Sequence, residues 1–213
     1  MAGLIRTEAE RLPVGSAPFQ REFIEWQDLW SEDSANPRAQ RVALLGDSIS
    51  KQYRAGVSQR LGERLAIVNS AGSRCVGDPA LAAETRYVLS LYDFDIIHFN
   101  NGLHGFSMAD EYFADHLREW IKLIRTLQPK ARLIWATITS PLNDLAQRVA
   151  VRNAAALEVI AEFGDIAVDD LGLLSRQHPE YIRDDKIHFT PEGCEALADA
   201  VAASILREEN RRP

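Results

Sequence analysis

The sequence is poor in sulfur, with two cysteines, Cys75 and Cys194, and two methionines among 213 residues. Two cysteines are not a disulfide framework in a chain this long, so both read as reduced thiols and the fold must rest on a hydrophobic core. Cys194 falls in an apolar helical pattern and reads as a small buried hydrophobe rather than a nucleophile. No apolar run reaches the length of a membrane span. The start, MAGLIRTEAERLPVG, carries Arg6, Glu8, Glu10 and Arg11 where a secretory leader would be apolar, so a cytoplasmic location is expected. Zinc spacings of Cys and His, an HExxH pattern and a lysine-bearing phosphate loop are all missing, and no metal or cofactor is expected. Basic excess is missing too: 24 Lys and Arg against 31 Asp and Glu leave a net charge of −7. That balance argues against nucleic acid or an anionic membrane as a partner and leaves a small molecule or a glycan.

What is present is an ordinary globular composition, 46 % hydrophobic and 26 % charged, at a length that suits one α/β domain. Short apolar runs at 42–45, 66–69, 94–99, 132–138 and 166–169 read as strands. Helical patterns fall between them, at 50–65, in a segment ending near 92, at 108–127 and at 145–163, with a last one from 191 onward. The alternation implies a five-stranded, mostly parallel sheet with helices on both faces. Ahead of it, Phe19, Phe23, Trp26 and Trp30 are spaced four, three and four apart, which puts them on one face of a helix. The expected division is therefore a helical extension over 1–38, packed on the body or lining a sugar cleft, and an α/β domain over 39–213.

The stretch RVALLGDSISK, 41–51, runs from a buried strand through Gly46, Asp47 and Ser48 into a helix. Working groups in an open α/β sheet lie beyond the carboxyl ends of its strands, which is where Ser48 falls. Gly-Asp-Ser is also plain turn and N-cap chemistry, so the serine needs a partner to mean more. Near the other end, Asp185 and His188 stand three residues apart, just before Thr190 as N-cap and Pro191 as first residue of the last helix. A hydroxyl becomes a nucleophile when a base takes its proton and a carboxylate orients that base, roles that Ser48, His188 and Asp185 can fill. Asp184 is the alternative carboxylate. Of the other histidines, His98 reads as a core residue, His116 as helical and His178 as a loop residue.

These two blocks at their two ends resemble the SGNH, or GDSL-like, hydrolase superfamily, from about Arg41 to the last helix. The resemblance implies a flavodoxin-like three-layer α/β/α sandwich. It implies a serine esterase acting through an acyl-enzyme, with small acyl groups such as acetyl esters of carbohydrates as the leading substrates. It also implies an oxyanion hole built from the N–H of Ser48, a glycine after the second strand, and a side chain after the third. Gly77 matches the glycine, with Gly72 second. After the third strand, NNGLHG sets His104 where the family has asparagine and Gly105 where it has aspartate, with Asn101 near enough to act instead. Asn100 and Asn101 can equally cap the strand end. Arg74 and the 139–143 loop open on the same edge and could touch substrate. Two alternatives stand beside this reading: a catalytically weak or inactive carbohydrate-binding protein, motivated by His104 and Gly105, and an O-acyltransferase.

Overall fold

Residues 20–211 are described by a computed structural model. In chain order the strands are β1 (Gln27–Ser31), β2 (Arg41–Gly46), β3 (Ala66–Gly72), β4 (Ile96–Phe99), β5 (Arg132–Ala136) and β6 (Ala167–Asp169). The helices are α1 (Ser48–Leu61), α2 (Pro79–Leu89), α3 (Phe113–Leu127), α4 (Ala146–Phe163), α5 (Leu171–Gln177) and α6 (Pro191–Asn210). All six strands form one sheet, in the order β1-β3-β2-β4-β5-β6. Strands β2 to β6 are parallel, and their order is that of a flavodoxin-like sheet.

Each of the strands β2 to β5 feeds two cores. Val42 and Leu44 of β2 point to the layer of α1, α5 and α6, while Ala43 and Leu45 point to the layer of α2, α3 and α4. The same alternation divides Ile96 from Ile97 in β4, and Ile134 from Leu133 and Trp135 in β5. A strand with apolar residues on both faces can only be satisfied between two helical layers. The result is a three-layer sandwich. Helix starts follow their caps: the side chains of Asp47, Asp78 and Thr190 accept N–H bonds from the first turns of α1, α2 and α6. Among the described residues, no helix is long and apolar enough to cross a membrane.

The first strand corrects two expectations. The sheet has six strands rather than five, and the described part of the aromatic stripe is extended rather than helical: β1 pairs antiparallel with β3, Gln27 opposite Gly72 and Ser31 opposite Val68. Phe19 lies outside the described residues. Without β1, β3 would be a bare sheet edge with a row of unpaired N–H and C=O groups, and a Trp- and Leu-containing segment suits a pleated edge. The operative period is two. Asp28 pairs with Lys51 and Arg54 of α1, Trp30 lies under Arg54 at 4.5 Å, and Trp26 lies 5.6 Å from Lys51. Phe23 is fully exposed, so no common aromatic face docks. Smaller differences lie at element ends: residues 110–112 form a 3₁₀ turn before α3, and the seven-residue α5, capped by Asp170, has too short a pattern to be read from sequence.

Ile97 is wholly buried at the centre of the sheet. Ile97→Ala should lower unfolding free energy by about 2–5 kcal/mol, read as a lower urea midpoint at unchanged m-value.

Candidate active site

The chain turns at Asp47 from β2 into α1, so Ser48 is the first residue of a 14-residue helix. Its side chain stands at the positive end of the helix dipole, which favours negative charge on Oγ. Asp47 is buried. Its Oδ1 accepts the Ile49 N–H at 2.9 Å, while Oδ2 has no hydrogen-bond partner among the described residues. Burial pushes its carboxyl above the usual range, opposed by His104, the Ile49 N–H, His188 and the Ser50 N–H.

The C-terminal arm reaches Ser48 through a tight turn. The Lys186 N–H donates to the Arg183 carbonyl at 2.9 Å and the Arg183 N–H to the His188 carbonyl at 2.7 Å, with Lys186 at φ 68°. Gln52, one turn beyond Ser48 on α1, braces this arm, accepting the Phe189 N–H at 3.3 Å and donating to the Phe189 carbonyl at 3.5 Å. His188 Nε2 then lies 2.9 Å from Ser48 Oγ, and His188 Nδ1 lies 2.9 Å from Asp185 Oδ2. An ionised carboxylate only accepts, so the proton sits on Nδ1 and Nε2 is left to accept from the serine hydroxyl. Asp185 Oδ1 also accepts the N–H groups of Ile187 and His188, at 2.9 and 2.8 Å. Burial pushes the Asp185 carboxyl up, but those two N–H groups and the His188 ring outweigh it and hold it at about 2. Asp185, not Asp184, is the carboxylate on His188.

The remaining candidates are placed less simply. Asn101 ties two loops together: its Oδ1 accepts the Val76 N–H at 2.9 Å, and its Nδ2 donates to the Arg74 carbonyl at 2.8 Å. Gly77, at φ 89°, faces the His116 ring and lines a groove of about 530 Å³ between α2 and α3 with Pro79, Leu81 and Trp120. Gly72 sits in the ladder opposite Gln27. Asn100 donates its N–H to the Leu45 carbonyl, while its buried Oδ1 faces Gly46 so closely that a Cβ there would lie 2.5 Å away. Arg74 is paired with Glu25 and Glu84, which removes it as a free anion binder. In the 139–143 loop, the Ser140 N–H donates to Ser175 Oγ and the Leu142 N–H to the Lys186 carbonyl. His98 is a satisfied core residue, 3.0 Å from Asp169. His178 stacks on Tyr181. Burial pushes up both thiols, that of Cys75 to about 11 with Asp78 adding to it.

His104 sits on a loop gripped by a wholly buried arginine. Arg152 of α4 donates to the carbonyls of Gly102, His104 and Gly105 at 2.9–3.0 Å and to Asp110 at 2.8 Å, and its guanidinium lies over the Phe106 ring. Arg148 adds bonds to the Phe106 and Met108 carbonyls and to Asp110. Sequence reasoning missed both arginines and Gln52. A signal existed for Arg152: it shares the inward stripe of α4 with Val149, Asn153 and Ala156, the place where a charge has no business unless paired. Among the described residues, no three His, Cys, Asp or Glu side chains are arranged to hold a metal ion.

No family model matches the sequence, and no curated protein matches it. Solved structures do match in fold. A carbohydrate esterase family 3 protein from Talaromyces cellulolyticus superposes with a TM-score of 0.66 at 14 % identity, covering 81 % of this chain and 100 % of that one. The lipase/acylhydrolase from Enterococcus faecalis gives 0.66 at 18 %, covering 82 % and 98 %. The C-terminal catalytic domain of a Streptococcus pneumoniae peptidoglycan O-acetyltransferase gives 0.63 at 16 %, covering 81 % and 96 %. The fold is that of the SGNH, or GDSL-like, hydrolases.

Arg152→Met leaves Asp110 and three loop carbonyls short of partners and should cost about 3–5 kcal/mol, measured by denaturant unfolding. Asp185 should titrate near 2 in the folded protein, followed by carboxyl ¹³C shifts. Because that value lies below the unfolded one of about 3.9, its contribution to stability is complete above about pH 4 and is lost as pH falls to about 2.

Proposed function

We propose that this protein is a serine esterase that hydrolyses small acyl esters, acetyl esters of carbohydrates foremost, through an acyl-enzyme. The observation that carries this reading is the unbroken chain from Ser48 Oγ to His188 Nε2 and from His188 Nδ1 to Asp185, both links 2.9 Å long. Ser48 attacks the ester carbonyl as His188 takes its proton on Nε2. The tetrahedral intermediate collapses as His188 returns that proton to the leaving alcohol. Water, deprotonated by His188, then attacks the acyl-serine and releases the acid and Ser48. Asp185 keeps the Nδ1–H in place and steadies the imidazolium.

The developing oxyanion takes the Ser48 N–H, a first-turn amide with no intrahelical acceptor. Asn101 retains a second amide hydrogen beyond the one given to Arg74, and Gly77 is the backbone candidate from the loop after β3. An acyltransferase would use the same steps with an acceptor alcohol in place of water, and one fold neighbour is the catalytic domain of a peptidoglycan O-acetyltransferase.

The test is hydrolysis of p-nitrophenyl acetate, butyrate and octanoate by the full chain, with labelling by a fluorophosphonate probe. Ser48→Ala and His188→Ala should each lower kcat by at least about a thousandfold, and the probe mass should appear on Ser48 alone. Product formed only when an acceptor alcohol is supplied would assign the transferase instead. No turnover above the Ser48→Ala background on these esters or on acetylated xylan, together with no label, would leave a carbohydrate-binding protein.

A further inference from the structure

The segment that the sequence suggested as a docking helix does something more specific at the site. On its way into β1 it crosses the loops after β3 and β4. Gln20 exchanges two hydrogen bonds with Ser107, its N–H to Oγ and Oγ–H to its carbonyl, both at 2.8 Å. Trp26 donates its N–H to Ser73 Oγ at 3.0 Å and accepts the Ser73 backbone N–H on its carbonyl at 3.1 Å. Arg21 adds an ion pair with Asp78 at 3.1 Å, and Glu25 one with Arg74. Between these anchors Glu22 reaches His104: its carboxylate oxygens lie 2.9 and 3.1 Å from Nδ1, and Oε1 accepts the Gly105 N–H at 3.4 Å.

His104 is thus held from two sides, its backbone by Arg152 and its ring by Glu22. Since Glu22 as a carboxylate only accepts, Nδ1 must carry the proton, and the neutral ring has only a lone pair to offer at Nε2. The two ring nitrogens lie on opposite edges, so Nε2 turns away from the strap. His104 belongs to the loop after β4, which leaves the sheet edge where the Asn100 N–H meets the carbonyl of Leu45, three residues before Ser48. The site therefore contains two imidazoles wired alike, His188 to Asp185 and His104 to Glu22, of which only the first touches Ser48.

We infer that Glu22 is a positioning residue that holds His104 as its Nδ1–H tautomer, so that Nε2 accepts a hydrogen bond from a hydroxyl of the substrate. This rests on the esterase reading and refines it: the preferred ester carries a free hydroxyl beside the scissile acyl group, as a partly acylated sugar or polyol does. It also removes the neutral His104 ring from the oxyanion hole, because its one N–H is committed to Glu22. The strap keeps its place without the carboxylate, since Gln20, Arg21, Glu25, Trp26 and the β1 ladder all hold it.

The experiment has two arms on the full chain. In the first, ¹⁵N-histidine-labelled protein is examined by long-range ¹H–¹⁵N correlation at a pH where the ring is neutral, with the His104 signals assigned by H104Q. The wild type should show a protonated Nδ1 and a bare Nε2, and Glu22→Gln should shift the ring toward the Nε2–H form. A wild-type ring protonated on Nε2, or one that Glu22→Gln does not alter, would overturn the inference. This arm decides it with or without turnover. In the second, kcat/KM is compared for glyceryl monoacetate, which has free hydroxyls, and p-nitrophenyl acetate, which has none. The ratio of the two should fall about tenfold in Glu22→Gln and in His104→Ala, the size of one lost hydrogen bond, and no further in the double variant. Equal losses on both esters would make His104 an oxyanion donor, and unchanged ratios would reduce Glu22 to a surface anchor; either sinks the hydroxyl-reading role. A wild type without activity on any ester fails the esterase reading instead.

Discussion

Parallel pairing of β2 with β3 on one side and β4 on the other is the constraint on which the rest depends. Parallel strands end on the same edge, so the turns after β2, β3 and β4 open side by side without any interaction chosen for that purpose. The Gly46–Ala71 register brings the Asp47 turn level with the end of β3, and the Asn100 N–H bond to the Leu45 carbonyl does the same for β4. Gly46 is required where these backbones converge, because a Cβ would meet Asn100 and Ser50 at 2.5–2.9 Å. The sheet sets the place of Ser48; what remains is to fix the loops around it.

That work falls to side chains with several fixed donors or acceptors. Asn101 uses both ends of its amide to join the β3 and β4 loops, and Arg152 uses three nitrogens to satisfy three carbonyls and Asp110. Burial pulls the Arg152 guanidinium down, Asp110 opposes it, and a guanidinium still stays charged. An unpaired buried charge would be ruinous, and an apolar side chain in place of Arg152 alone would strand Asp110 and the three carbonyls, so the arginine is needed for its geometry. Only a fork of donors can pin three carbonyls of an irregular loop. The strap contacts follow another logic: the Arg21 and Glu22 side chains reach the surface, where an ion pair contributes little, and the β1 ladder and the Gln20–Ser107 and Trp26–Ser73 exchanges hold the strap.

Legibility in the sequence tracked the range of the interaction. Strands β2, β4 and β5 are readable because burial on both faces leaves a nearly uninterrupted apolar run, and the Asp185–His188 pair because its partners are three residues apart. Ser48 was readable as a position, beyond a strand end, and its distance from His188 was not, since 140 residues separate them. The first strand is hidden in the sequence because four aromatics at helical spacing point to a helix, while the free edge that β1 covers leaves no local pattern. Trp26, Asp28 and Trp30 also fit a period of two, and the cations that select it, Lys51 and Arg54, lie on α1. For Gly77 and Arg74 the sequence offers only a place in the loop after β3, whose path is tied to Glu25, Glu84 and Asn101.

The same reasoning explains why the strap matters to chemistry although it lies outside the α/β body. An imidazole has two nitrogens and one proton, and its function depends on which nitrogen holds it. For His188 the decision is local, made by a carboxylate three residues away on the same turn. For His104 it is made by Glu22, 82 residues distant, on a segment whose placement requires that β1 first pair with β3. Edge-strand pairing, the weakest-looking feature of the sequence, is therefore upstream of the protonation pattern of the site. A chain that lost the strap would keep its sheet and its Ser48–His188–Asp185 chain, yet leave His104 free to take the other tautomer.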